Sequence, residues 1–172
     1  MIRIRAVIFY SLMFTIFEAL SSEEVADDSV HPLFNSENNE GVTLSIANLV
    51  CYSYGKYTNE PDAPIYHDEH SDVANQLLMI ALRQSTKDLM KKIKNKDVER
   101  YKAMNFDEEV RKKVTHIHSG IKDSLKKDYQ KAGPEGLKIR LREVMTDPEY
   151  TYPKWIKNCD NLLSYSKSML ND

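Results

Sequence analysis

The feature that most constrains the fold is a stripe of apolar residues in the second half of the chain. Its members recur at steps of three and four residues: Val110, Val114, Ile117, Ile121, Leu125 and Tyr129. This spacing is typical of one face of an α-helix and predicts an amphipathic helix over residues 106–131. Phe106 followed by Asp107 predicts the start of that helix, with Asp107 as the N-cap.

Apolar residues at similar spacing predict four further helices, over residues 43–56, 70–95, 134–146 and 153–170. Asp68 and Ser71 are candidate N-caps for the helix over 70–95. Gly133-Pro134 predicts the break between the third and fourth helices. In the last helix, Trp155 and Cys159 are expected on the inner face.

Residues 77–82 are apolar on every side of a helix, which indicates an element surrounded by others. A buried strand is the alternative for this segment, but its Ala, Leu and Met content favours a helix. We find no segment that alternates with period two for long enough to indicate a strand. The sequence therefore predicts an all-α protein, a single bundle of about five helices, with 77–82 in its central helix.

The chain has two cysteines, Cys51 and Cys159, and both fall on the apolar faces of predicted helices. In an oxidising compartment such a pair is most simply explained by one disulfide. The bridge would close a loop of about 110 residues, which the chain-entropy model associates with roughly 4–5 kcal/mol of stability. Two buried free thiols, or a bond between chains, are the alternatives.

The N-terminus has the pattern of a secretory signal peptide. Arg3 and Arg5 precede an uncharged run, and small residues follow at Ala19 and Ser21. We assign 1–21 to the signal peptide, with a retained anchor as the alternative, 22–41 to an acidic arm that should be poorly ordered, and 42–172 to the bundle. The sequence predicts a secreted, extracellular protein with no membrane insertion after signal cleavage.

Without the predicted signal peptide the chain has 22 basic and 25 acidic residues. This balance argues against a nucleic-acid binder, which normally carries a strong basic excess. The lysines at 91–96 are better explained as the solvated C-terminal end of a helix than as a site for a polyanion.

Four histidines are weak candidates for metal ligands: His67 and His70 in one segment, and His116 and His118 in another. A zinc or copper site would need three or four such side chains to converge. On a helix, however, His116 and His118 point about 200° apart, so the pair cannot readily bind one ion. We therefore expect no metal and no other cofactor.

The sequence contains no nucleophile motif and no glycine-rich phosphate loop, so we expect no enzyme. Four tyrosines, Tyr52, Tyr54, Tyr57 and Tyr66, lie close together around an irregular segment. Tyrosine is favoured at recognition surfaces, so they are the candidate partner-binding residues. The alternative is that they cover the end of the bundle.

These observations predict a secreted, non-enzymatic binding or effector protein that acts on an extracellular protein or another macromolecule. Four-helix cytokines, small carriers and parasite or salivary effectors share this kind of architecture, an analogy that concerns the fold alone. The alternative function is a carrier of a small apolar ligand, held between helices near Leu78, Leu82, Ile117 and Trp155.

Overall fold

Five helices account for most of the chain that the structure describes. The structure is a computed structural model, and it describes residues 40–146, 153 and 155–171. The helices are α1 (Glu40–Tyr57), α2 (His67–Lys96), α3 (Val98–Ala103), α4 (Phe106–Thr146) and α5 (Cys159–Asn171). No strand occurs in these residues, so the predicted all-α fold is confirmed. The predicted signal peptide, and the predicted arm as far as residue 39, lie outside the described residues.

Helix α1 is the central element of the bundle. From Gly41 to Tyr54 every residue except Thr43 is buried, and α1 packs against α2, α4 and α5. Residues 77–82, predicted to lie in the central helix, belong to α2, which packs against all four other helices but is buried less completely than α1. Leu77 and Leu78 are fully buried, but Met79 and Ile80 are only partly covered. Helix α1 also includes Glu40 and Gly41, which the sequence had placed in the arm.

The predicted apolar stripe of α4 faces the core, with Val110, Val114, Ile121 and Leu125 buried. Its first turn is capped by Asn105, whose Oδ1 accepts a hydrogen bond of 3.2 Å from the backbone N–H of Glu108. The prediction of Asp107 as the N-cap was wrong because the helix begins at Phe106 and Asp107 lies inside its first turn. The side chain that accepts the capping hydrogen bond is thus an asparagine rather than an aspartate.

Helix α4 bends sharply at Gly133, which has φ 62° and ψ −154°. Arg140 Nε donates to Asp128 Oδ2 at 3.0 Å across this bend. In a straight helix twelve residues would separate their Cα atoms by about 18 Å, so the chain must fold back here. The predicted break at Gly133-Pro134 is therefore present, with helical residues on both sides of it.

The other helix boundaries differ from the predicted ones at several points. Helix α2 begins at His67 after Tyr66, with no side-chain cap, so the predicted caps Asp68 and Ser71 were wrong. Helix α5 begins at Cys159 rather than at 153. Trp155 precedes it and is 52% exposed, so it does not belong to an inner helix face. The short helix α3 was not predicted, and none of its residues is buried.

The predicted disulfide is confirmed. Cys51 in α1 and Cys159 in α5 are joined, with 5.7 Å between their Cα atoms and a sequence separation of 108 residues. The bond connects the central helix to the last one, as their apolar faces predicted. None of the described helices combines the length and the apolar character needed to cross a membrane.

Candidate functional site

The four tyrosines do not share one exposed face. Tyr52 and Tyr54 are buried, with 3% and 0% exposure, whereas Tyr66 is 65% exposed. Tyr57 is partly covered and stacks on Tyr129 at 5.6 Å between ring centroids. A recognition surface made of all four rings is therefore ruled out by burial, and among these tyrosines Tyr66 offers the most surface to a partner.

Residues 58–66, which connect α1 to α2, form what we call the binding loop. Its two last residues, Ile65 and Tyr66, are 84% and 65% exposed. They are the two most exposed large apolar side chains among the described residues. Single exposed apolar residues are ordinary on a protein surface, whereas two that are adjacent on one loop are a candidate interaction site.

Helix α1 holds the binding loop in place through contacts with Asp62 and Pro64. The hydroxyl of Tyr54 donates to Asp62 Oδ1 at 2.5 Å, and burial raises the pKa of Tyr54 well above its usual value, with Asp62 adding to the shift. Pro64 packs directly over Gly55: a Cβ on Gly55 would lie only 2.5 Å from the carbonyl oxygen of Pro64. Gly55 is therefore required by this close approach.

Helix α4 holds the same loop in place through an ion pair. Lys138 Nζ forms an ion pair with Glu60 Oε2 at 2.6 Å, and this interaction raises the pKa of Lys138. Within the loop, the backbone N–H of Ala63 donates to the carbonyl oxygen of Glu60 at 3.0 Å. Two helices and an internal turn thus hold residues 60–64, directly before Ile65 and Tyr66.

The four candidate metal-binding histidines occupy different environments. His67 lies beside the Tyr52 ring at 6.1 Å, and its Nε2 is 3.7 Å from Asp68. His116 is exposed, and His118 is partly buried with its Nε2 3.3 Å from Ser71 Oγ. Burial and the nearby Lys122 lower the pKa of His118. These three histidines therefore do not share a common set of contacts.

His70 is the exception, because it lies with the two cysteines. One of its ring nitrogens and the sulfur atoms of Cys51 and Cys159 all lie within 4.8 Å of one another. His70 has no exposed surface, and burial lowers its pKa to about 4. The imidazole is therefore neutral at physiological pH.

A buried hydrogen-bond network surrounds this cluster. Asn48 Nδ2 donates to the carbonyl oxygen of Leu44 and to Ser166 Oγ, both at 2.8 Å. Asn48 Oδ1 lies 2.7 Å from His70 Nδ1. Asn48, His70 and Ser166 are all fully buried, so α1, α2 and α5 meet at one polar point inside an apolar core.

Asn48 and Ser166 were not among the predicted site residues, although both carry a weak signal in the sequence. Each is a polar residue at helical spacing among apolar ones, as Asn48 is between Leu44 and Cys51. A polar residue in that position is buried only if it finds a partner. The partners lie 22 and 118 residues away in sequence.

The side chains suggested for an apolar ligand differ in how far they are exposed. Leu78 and Leu82 are buried and Ile117 is partly covered. Trp155 is half-exposed and packs edge-on against Tyr165, with 5.9 Å between the ring centroids.

Comparisons with protein-family models, with curated proteins and with solved structures found no match to this chain.

Proposed function

We propose that this chain is a secreted, non-enzymatic binding protein that recognises an extracellular protein through Ile65 and Tyr66 of the binding loop. The observation that carries the proposal is the exposure of these two adjacent apolar side chains on a loop that two helices hold in place. An ordered loop loses little conformational entropy when it binds, so its apolar surface contributes more fully to affinity.

The chemistry of the two side chains defines the kind of partner. Ile65 offers aliphatic surface, and Tyr66 offers an aromatic ring with a polar tip, the type of residue that most often dominates binding energy. We expect the partner to receive both in an apolar cleft with a hydrogen-bonding group for the tyrosine hydroxyl. Nearby charges are mixed, with Lys56 and Asp68 both exposed, so electrostatic steering should be weak.

Secretion is part of the proposal and rests on two features. The first 21 residues have the pattern of a signal peptide. The disulfide between Cys51 and Cys159 is the kind of bond that persists in oxidising compartments.

The proposal is tested by affinity capture from the extracellular fluid of the source. Three immobilised forms are compared by quantitative mass spectrometry: the wild-type chain, Ile65→Ser/Tyr66→Ser, and the control Ile139→Ser. Ile139 is a suitable control because it is 44% exposed on α4, outside the binding loop. All three forms should have the same circular dichroism spectrum.

We expect at least one protein that the wild type and Ile139→Ser retain and that the double variant retains at least about tenfold less, a loss of about 1.4 kcal/mol. Identical sets of retained proteins for all three forms would show that the loop is not the recognition surface. An equal loss with Ile139→Ser would place the surface elsewhere as well.

A further inference from the structure

Three side chains that commonly bind metals meet where α1, α2 and α5 come together. Their ligand atoms, two sulfurs and one imidazole nitrogen, lie within 4.8 Å of one another. Cys51 and His70 have no exposed surface, and Cys159 is 4% exposed. In the oxidised chain the two sulfur atoms are bonded to each other. The cluster is not involved in the proposed recognition by the binding loop.

The hydrogen-bond network fixes which nitrogen of His70 carries the proton. The atom of the Asn48 amide that faces the carbonyl oxygen of Leu44 must be the nitrogen, because a carbonyl oxygen only accepts. Asn48 Oδ1 therefore faces His70 Nδ1, and Nδ1 donates to it. His70 Nε2 then carries a lone pair and no hydrogen.

His70 Nε2 is buried and has no hydrogen-bond partner among the described residues. A neutral imidazole whose Nδ1–H donates to a carbonyl group and whose Nε2 lone pair is free is the arrangement found in metal-binding histidines. Metal-binding histidines commonly donate a hydrogen bond from their second ring nitrogen, and Asn48 already accepts such a bond from His70.

We propose that reduction of the Cys51–Cys159 bond converts this cluster into a binding site for one Zn²⁺, with the two thiolates and His70 Nε2 as ligands. A dithiol reductant supplies two electrons and two protons to the bond and is itself oxidised to a disulfide. Zinc binding then displaces the two thiol protons to solvent. Reoxidation by a small-molecule disulfide returns two electrons to that oxidant, restores the bond and releases Zn²⁺.

Charge and size favour zinc at this position. Two thiolates and one Zn²⁺ form a neutral unit with the neutral imidazole, which suits a buried apolar environment. Zinc–sulfur and zinc–nitrogen bonds of about 2.3 and 2.0 Å place ligand atoms about 3.5–4 Å apart. In the oxidised chain the two sulfur atoms and one ring nitrogen of His70 already lie within 4.8 Å of one another. Three protein ligands leave a fourth coordination position open.

The test uses the full chain, reduced with a phosphine under anaerobic conditions and titrated with Zn²⁺ against a chromophoric chelator. We expect one zinc per reduced chain and none at the same site in the oxidised chain. Co²⁺ in place of zinc should give thiolate-to-cobalt charge-transfer bands. His70→Gln should weaken zinc binding at least tenfold, whereas the matched control His118→Gln should leave it unchanged.

Two outcomes would overturn the proposal. One is a reduced wild-type chain that binds zinc no more tightly than Cys51→Ser/Cys159→Ser. The other is binding that His70→Gln leaves intact, as expected if an unfolded chain captured zinc through its thiols alone. X-ray absorption at the zinc edge of the reduced wild type gives a check that needs no variant. Two sulfur ligands with an imidazole support the site, and a spectrum without imidazole contradicts it.

Discussion

Asn48 Oδ1 accepts a hydrogen bond of 2.7 Å from His70 Nδ1 at a point where neither side chain is exposed. The bond joins the central helix α1 to the first turn of α2. The same amide donates to Ser166 on α5, and the disulfide joins α1 to α5 close by. Asn48 on α1 therefore provides the hydrogen-bond partner for a buried polar group on each of two other helices, His70 on α2 and Ser166 on α5.

Replacement of Asn48 by Ala should destabilise the fold more than replacement of Ser166 by Ala. The first change leaves the Nδ1–H of His70 without its acceptor, which costs about 1–3 kcal/mol for a buried donor. The second leaves Asn48 Nδ2 its bond to Leu44, so we expect a loss of about 1 kcal/mol. Urea midpoints of the two variants measure the difference. Equal losses would show that the Asn48–His70 bond does not stabilise the protein.

Stability should fall as the pH falls from about 6.5 to about 4. Burial lowers the pKa of His70 to about 4, an effect that Lys167 and His67 reinforce and Glu69 opposes. In this window the unfolded chain binds a proton that folded His70 does not. The free energy of unfolding should therefore drop by up to about 3 kcal/mol below its value at neutral pH.

The control for the pH dependence is His70→Gln, which removes this titration and keeps a side-chain donor. His118, whose pKa burial also lowers, titrates in both proteins, so the difference between them isolates His70. Chemical denaturation from pH 7.5 to 4 provides the curves. Parallel curves for the two proteins would contradict the assignment of a neutral, buried His70.

Gly55→Ala and Gly120→Ala should change stability in opposite directions. A Cβ on Gly55 would lie 2.5 Å from the Pro64 carbonyl oxygen and 2.6 Å from the His67 Cβ, so the binding loop must shift. Nothing lies within 4 Å of a Cβ on Gly120, which is exposed in α4. We expect Gly120→Ala to stabilise the helix by up to about 1 kcal/mol.

Thermal unfolding of both glycine variants, with the wild type alongside, makes this comparison. A rise in melting temperature for Gly55→Ala would show that Pro64 does not pack against α1 as closely as described. In the capture experiment, Gly55→Ala should also weaken binding through the displaced loop, with Ile65 and Tyr66 unchanged.

Leu125 and Ile117, both on the apolar stripe of α4, should differ in how much they contribute to stability. Leu125 is 2% exposed, so Leu125→Ala should cost about 2–5 kcal/mol. Ile117 is only partly covered, and Ile117→Ala should cost less. Lys127→Ala, at an exposed position two residues after Leu125, should stay within about 0.5 kcal/mol. Urea midpoints in the order Ile117, Leu125, Lys127 from most to least damaging would contradict this packing.

The sequence by itself determined the elements that depend on local pattern. The stripe from Val110 to Leu125 predicts a helix because its spacing matches the helical turn, and that helix is present. The break at Gly133 follows from its freedom to adopt a positive φ. Cys51 and Cys159 could be paired because each lies on an apolar helix face and no other cysteine competes.

Tertiary structure alone decided which helix is central and which side chains form the candidate sites. Helix α1 carries Ser45, Asn48 and Ser53 among its buried residues, so its composition does not indicate a central element. Two of these polar side chains are paired with distant residues: Ser45 with the carbonyl oxygen of Ala74, and Asn48 with His70 and Ser166. The packing of whole helices brings those partners together. No local spacing in the sequence encodes these pairings.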